Sequence, residues 1–337
     1  MTREVRCLVM KLGLDLGSST LRIADEKQGV FLREACVIGD GLAGGPTFVV
    51  GATAEKMIGR TPEHLHAVCP MGRGVVSAPL ATGEFLKELL PRAVGWRWKW
   101  RPEVVAAVPA RITEPQKESL VKALRFAGAS NVSLMAKPVA AALGAAPETG
   151  TKRSTMVVDV GAETTEVAAL APGIVVCEAI PFGGRQFDDA ILCHLRNEHG
   201  LEVSRETAEE LKKELGSAHP VREEKRVKVF GREMDSSLPH TVEVRGREIR
   251  ECLLHPLNQI VALVKQTLDK TPPGLSADIL EHGLVLTGNG ALLKGLDEFL
   301  AERCGLKVRV AANPGDCAVL GLLCNRHNFQ ENQKEEN

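Results

Sequence analysis

Met156-Val157-Val158-Asp159-Val160-Gly161-Ala162-Glu163-Thr164-Thr165-Glu166-Val167-Ala168 reads as an apolar strand that delivers Asp159, a small-residue turn at Gly161 to Glu163, and a Thr-rich returning strand. The same text occurs earlier. Asp15-Leu16-Gly17-Ser18-Ser19-Thr20-Leu21-Arg22-Ile23-Ala24 and Asp159 to Ala168 share the pattern D-[LV]-G-x-x-T-x-x-[IV]-A. A repeated hairpin predicts two related halves of α/β type, each a mixed sheet with helices, facing one another across a cleft.

The chain has 337 residues, 44% of them hydrophobic, which is enough for two cores. A formal net charge of -1 provides no basic field to attract nucleic acid, and none is expected as a partner. The nine cysteines form no C-x-x-C pair, and a chain of this size needs no disulfide staples, so they read as reduced thiols in a cytoplasm. No apolar run reaches the roughly 20 residues that span a bilayer, and the N-terminus carries no signal-peptide pattern.

Working outward, residues 1–150 form the first expected lobe, with a small subdomain inserted at about 30–75. Residues 151–327 form the second, with an insert at about 183–250 and a last helix packing back on the first lobe. The polar residues 328–337 are expected to be a disordered tail. A polar linker, residues 147–154, separates the lobes. Helices are expected at Ala52 to Ile58, Ala81 to Leu90, Glu114 to Ala127, Pro138 to Ala146, Arg185 to His199, Ser204 to Leu215, Cys252 to Leu268 and Ala291 to Arg303. Val221 to Arg250 reads as two or three solvated strands.

Each D-x-G hairpin suits phosphate chemistry. A carboxylate at a strand end, Asp15 or Asp159, can hold hydrated Mg²⁺, while small turn residues let backbone N-H groups approach phosphate oxygens. Taken singly, either is also an ordinary turn between strands. A strand running into Gly288-Asn289-Gly290-Ala291 at a helix N-terminus suits the ribose and α-phosphate side of a nucleotide. Glu209 and Lys212 share a helix face at i, i+3 and could flank an adenine, or form a plain surface ion pair.

With Gly13 to Gly17, Pro138 to Ala142, Thr164 to Val167, Gly183-Gly184, Thr207 to Lys212 and Leu286 to Asp297, the chain resembles the MreB family of bacterial actin homologues along nearly its whole length. That resemblance implies the actin fold with ribonuclease-H-like sheets, ATP or ADP with Mg²⁺ in the cleft, and filaments on the inner membrane face that organise cell-wall synthesis and cell shape. By position, Asp15, Gly17, Ser18 and Ser19 would form the first phosphate loop, and Asp159, Gly161, Ala162 and Glu163 the second. Glu209, Glu210, Leu211 and Lys212 would line the adenine, and Gly288, Asn289, Gly290 and Ala291 the ribose.

Two departures bear on chemistry. Lys137 stands where the family has the glutamate that positions the attacking water, and a protonated lysine cannot serve as that base. Ala162 and Glu163 replace glycines, which puts a carboxylate near phosphate. Lys137 could pair with Glu163 and fill the γ-phosphate space, or bind the γ-phosphate and hold ATP unhydrolysed; both predict impaired hydrolysis. A non-polymerising scaffold that modulates an active MreB paralogue, and a conventional ATP-hydrolysing polymer, are the alternatives.

All three tryptophans lie in Trp96-Arg97-Trp98-Lys99-Trp100-Arg101. Tryptophan interleaved with cations suits an anionic membrane surface, so peripheral attachment to the inner face is expected. The other readings are a strand with one Trp face in the core, or a stacking platform for bases.

Overall fold

The computed structural model describes residues 10–41, 48–58, 66–145 and 154–324. These fall into two compact units, one ending at Gly144 and resuming at Asp316, the other running from Ala145 to Gly315. The expectations for residues 147–153 of the linker and for the tail 328–337 lie outside the described residues.

In the first unit β1 (Lys11–Leu16), β2 (Thr20–Asp25) and β3 (Gly29–Ala35) form an antiparallel meander. A small sheet of β4 (Ile38–Asp40), β5 (Phe48–Val50) and β6 (Ala67–Val68) follows, with the short α1 (Ala52–Glu55) and the ribbon of β7 (Met71–Gly72) and β8 (Val75–Val76). Then come α2 (Pro79–Val94), β9 (Glu103–Val108), α3 (Glu114–Phe126), β10 (Asn131–Ala136) and α4 (Lys137–Gly144). The main sheet has the order β10-β9-β1-β2-β3, with β1, β9 and β10 parallel. Five of the six residues of β1 and of β9 are buried, as expected for strands covered on both faces.

The second unit repeats the plan. A meander of β11 (Thr155–Val160), β12 (Thr165–Ala171) and β13 (Ile174–Ile180) leads into α5 (Gly184–His199). An insert of β14 (Leu201–Glu202), α6 (Arg205–Leu215), β15 (Arg226–Glu233) and β16 (Pro239–Arg245) adds its own three-stranded sheet. It returns through α7 (Gly246–Lys270), α8 (Pro273–His282), β17 (Leu284–Thr287), α9 (Leu296–Cys304) and β18 (Val308–Val310). The order β13-β12-β11-β17-β18 matches the first sheet strand for strand.

The repeat extends to single bonds. Gly17 N-H donates to Thr20 O at 3.1 Å and Gly161 N-H donates to Thr164 O at 2.8 Å. Asp15 stands opposite Arg22, and Asp159 opposite Glu166.

Two helix expectations are corrected. Residues 246–250 are the first turns of α7, not strand, because buried Ile249, Leu253, Leu257, Ile260 and Val264 continue a single apolar stripe. Ala291 does not open an α-helix: Asn289–Leu292 is a 3-10 turn, and α9 begins only after Gly295, whose φ is 69°.

The chain re-enters the first unit with α10 (Cys317–Gly321), which crosses α4 at backbone contact. A Cβ on Gly144 would lie 1.8 Å from Cys317 O, and one on Gly321 1.8 Å from Ala140 O. Only glycine permits that approach.

Candidate functional site

In the second unit the expected residues converge although they come from four separate stretches. The turn after Asp159 is clasped by the start of α5: Gly184 N-H donates to Gly161 O at 2.9 Å and Arg185 N-H to Ala162 O at 2.7 Å. A Cβ on Gly183 would lie 2.6 Å from Gly161 O. The Glu163 carboxylate accepts a hydrogen bond from the Arg185 guanidinium, so the charge that departs from a glycine turn is compensated within its own unit. The turn at Gly288 and Gly290 presses on the same hairpin, where a Cβ on either glycine would fall 2.3 Å from Val160 atoms.

Asp159 lies 3% exposed at the strand end, and Thr287 Oγ1 donates to its Oδ1 at 3.0 Å. Thr287 is fully buried on the neighbouring strand β17, so the carboxylate is oriented by the sheet itself. Sequence reading passed over this threonine, although it directly precedes the Gly288 turn.

The α6 set divides by role. Ser204 caps the helix, accepting from Thr207 N-H at 3.3 Å. Lys212 Nζ lies 2.6 Å from Asp188 Oδ1 and donates to Gly184 O at 3.1 Å, tying α6 to the start of α5. Burial pushes the Asp188 carboxyl above its usual range, with Lys212 opposing. Glu209 pairs with Lys213 at 2.8 Å rather than with Lys212. Burial raises its pKa, but Lys213, Lys212 and Arg185 together hold the carboxyl below its usual range. Glu210 is exposed. Leu211 corrects the expectation, since at 3% exposure it is a core side chain and offers nothing to a ligand. Asn289 is exposed, while Gly288 and Ala291 are buried. Because Asn289–Leu292 is a 3-10 turn, no α-helix dipole acts there.

The first unit places Asp15, 2% exposed, beside two cations. Lys137 Nζ stands 3.7 Å from Asp15 Oδ1, and Arg22 Nη1 stands 4.0 Å from Oδ2. Arg22 Nε also lies 3.2 Å from Asp316 Oδ1, and Arg33 donates to both oxygens of Asp316, its Nε at 3.0 Å. Asp316 holds the Arg33 guanidinium above its usual range, chiefly by hydrogen bonding. Arg22, Arg33 and Asp316 were not foreseen, for Asp316 is remote in sequence. The Ser18 hydroxyl accepts from Gly74 N-H at 2.9 Å, and Ser19 is exposed.

A nucleotide fits these residues. In the second unit glycine cradles that any Cβ would fill surround the buried Asp159, and Lys212 and Arg185 supply positive charge; in the first, Lys137 supplies it beside Asp15. The two carboxylates are unequal as partners for hydrated Mg²⁺. Asp159 is oriented by a neutral hydroxyl, whereas Asp15 is already approached by two cations.

Two of the six residues of the aromatic run are corrected. Gly95–Trp100 is a 3-10 helix, so tryptophans two residues apart are spread about a third of a turn from one another and do not line up along one strand face. Trp98 is 8% exposed, and its Nε1 donates to Ala127 O at 3.1 Å, making it a core residue. Arg97 pairs with buried Asp25 at 3.2 Å. Trp96 and Trp100 are each 65% exposed and pack edge to face with centroids 4.8 Å apart, flanked by exposed Lys99 and Arg101.

The family model for the MreB/Mbl protein matches residues 9–334. The chain belongs to the MreB/Mbl family. It is 35% identical to the cell shape-determining protein Mbl of Bacillus subtilis over 311 residues, covering 92% of this chain and 93% of that one. With the cell shape-determining protein MreB of Escherichia coli K12 it is 36% identical over 316 residues, covering 92% and 91%. Among solved structures, MreB5 of Spiroplasma citri bound to ADP aligns with a TM-score of 0.87 at 28% identity, over 93% of this chain and 95% of that chain. The MamK double helical filament aligns with a TM-score of 0.79 at 19% identity, over 93% and 97%, a likeness of fold. The MreB/Mbl fold of this chain is therefore actin-like.

Proposed function

We propose that this chain is an actin-like cytoskeletal protein of cell-shape determination that binds ATP or ADP, assembles with copies of itself on the cytoplasmic face of the membrane and hydrolyses ATP poorly. The family supports the first part, since its relatives are named for determining cell shape and MreB5 of Spiroplasma citri is solved with ADP and with AMPPNP. Cell-wall synthesis proteins and an active paralogue are the partners this role calls for.

The reading of poor hydrolysis rests on Lys137 Nζ standing 3.7 Å from Asp15 Oδ1. A lysine ammonium has donors only and offers no lone pair to take a proton from water. With Arg22 it adds fixed positive charge at the first hairpin. Such charge favours holding a triphosphate, while nothing at this position orients water for attack. Mg²⁺, when bound, would screen the phosphates, with Asp159 the better placed carboxylate to orient its water shell.

For the membrane, exposed Trp96 and Trp100 with Lys99 and Arg101 form a compact interfacial anchor. Sedimentation with and without ATP and Mg²⁺, with phosphate release followed in the same samples, tests the reading. Nucleotide-dependent pelleting with phosphate release at background is expected. Robust release from the unmodified protein overturns the claim of poor hydrolysis, and failure to pellet overturns that of assembly.

A further inference from the structure

Away from the hairpins, three metal-ligating side chains meet at the base of the second unit's insert. His194 and His199 lie on the last turns of α5, and Glu248 lies on the first turn of α7. Their ligand atoms all fall within 4.8 Å of one another. Both rings address one carboxylate oxygen: His199 Nε2 is 2.9 Å from Glu248 Oε2 and His194 Nε2 is 3.6 Å from it. The rings stand 5.6 Å apart at 74°, so neither blocks the other's nitrogen.

One of these nitrogens is an anomaly. His194 Nε2 is buried and has no hydrogen-bond partner, since 3.6 Å to Glu248 is too long for one. A buried polar atom left in this state costs free energy and calls for an explanation, and an absent ion is a standard one. Two imidazoles and a carboxylate form the ligand set of an open, borderline-soft divalent ion such as Zn²⁺, with water in the fourth position. The surroundings favour a cation. His199 is the last residue of α5, where carbonyl groups concentrate negative potential. Arg245 Nε approaches the other Glu248 oxygen at 3.9 Å, leaving Oε2 to the histidines.

We propose that His194, His199 and Glu248 bind one zinc-like divalent ion that staples the two chain crossings of the insert. Gly200 alone separates His199 from β14, Gly246 and Arg247 separate β16 from Glu248, and β14 and β16 are the two outer strands of the insert's sheet. An ion held by all three would tie the strand leading in to the strand leading out. The bound state would then resist opening of that sheet from its root.

The test is equilibrium dialysis of the nucleotide-free full chain against Zn²⁺ near neutral pH, with Co²⁺ as a spectroscopic probe. One ion per chain is expected, with visible bands of a nitrogen and oxygen site and no thiolate-to-cobalt charge-transfer band. His199→Ala and Glu248→Gln should each weaken binding at least about 10-fold, a loss that even outer-shell changes commonly cause. His199 lies at the rim, so its variant reads the site even if His194→Ala fails to fold. Cys193→Ser, which alters the exposed thiol one residue before His194, should leave binding unchanged. Zn²⁺ should also slow hydrogen exchange at Gly200 and Gly246 in the wild type and not in His199→Ala. No uptake by the wild type, uptake unchanged in both ligand variants, or uptake lost in Cys193→Ser overturns the proposal.

Discussion

Lys137 Nζ stands 3.7 Å from the buried carboxylate of Asp15 in the first hairpin. If its ammonium is what prevents hydrolysis, Lys137→Glu should raise phosphate release, and by about 10-fold or more if a base worth the usual 10²–10⁴ is partly restored. An unchanged rate from a folded, nucleotide-binding variant would show that the block lies elsewhere. The repeated pattern marked the two aspartates and Glu163, and the family resemblance marked Lys137. Sequence alone could not show that Arg185 neutralises Glu163 or that Arg22 and Asp316 join Lys137 around Asp15. Those partners lie outside the motif, and ion pairing between remote residues leaves no periodic trace. The cysteines follow a similar logic. Burial pushes Cys177 and Cys252 up to about 12, so both thiols stay protonated and should resist iodoacetamide at pH 8, whereas exposed Cys193 labels first. Peptide mass spectrometry of native, briefly labelled protein reads this order, and early labelling of Cys252 would contradict the burial.

Single elements show where periodicity misleads. The Trp-x-Trp-x-Trp spacing reads as a strand with one aromatic face, and the chain winds it into a 3-10 helix that buries Trp98 and exposes its neighbours. Composition found the segment; only winding assigns the roles. Trp98→Ala should therefore cost about 3–5 kcal/mol of stability, measured by denaturant unfolding, because it empties a packed site and orphans Ala127 O. Trp96→Ala with Trp100→Ala should leave stability within about 0.5 kcal/mol. The same double variant should lose co-flotation with anionic liposomes, and retained flotation would remove these residues from the membrane reading. The crossing of α4 and α10 makes a second prediction at this scale. Gly321→Val should cost about 3 kcal/mol or more, since its Cβ would meet Ala140 O at 1.8 Å. That crossing was legible only as a helix returning to the first lobe; its demand for glycine comes from backbone contact, which hydropathy does not encode. Likewise, the late start of α9 hinges on Gly295 at φ 69°, one glycine among the many around it.

Across the whole molecule, the duplicated hairpin was the most readable feature, because it repeats in sequence what the two sheets repeat in strand order. The insert was less readable, as its strands are solvated and its helix α7 begins inside text that alternates like a strand. The path of the chain through the units also bears on its birth. Among the described residues the second unit is one uninterrupted stretch, whereas the first is complete only once α10, beyond residue 315, has been made. Domains usually mature in the order of translation. Here the order inverts: as the polypeptide leaves the ribosome, the later stretch can close on itself while the earlier one still awaits its final helix. Stalled nascent chains ending near residue 315, probed by brief proteolysis outside the exit tunnel, should accordingly protect residues 154–310 less completely than full chains do but better than residues 10–145. Protection that appears first in residues 10–145 would instead show that α10 is a late ornament on a sheet already stable without it.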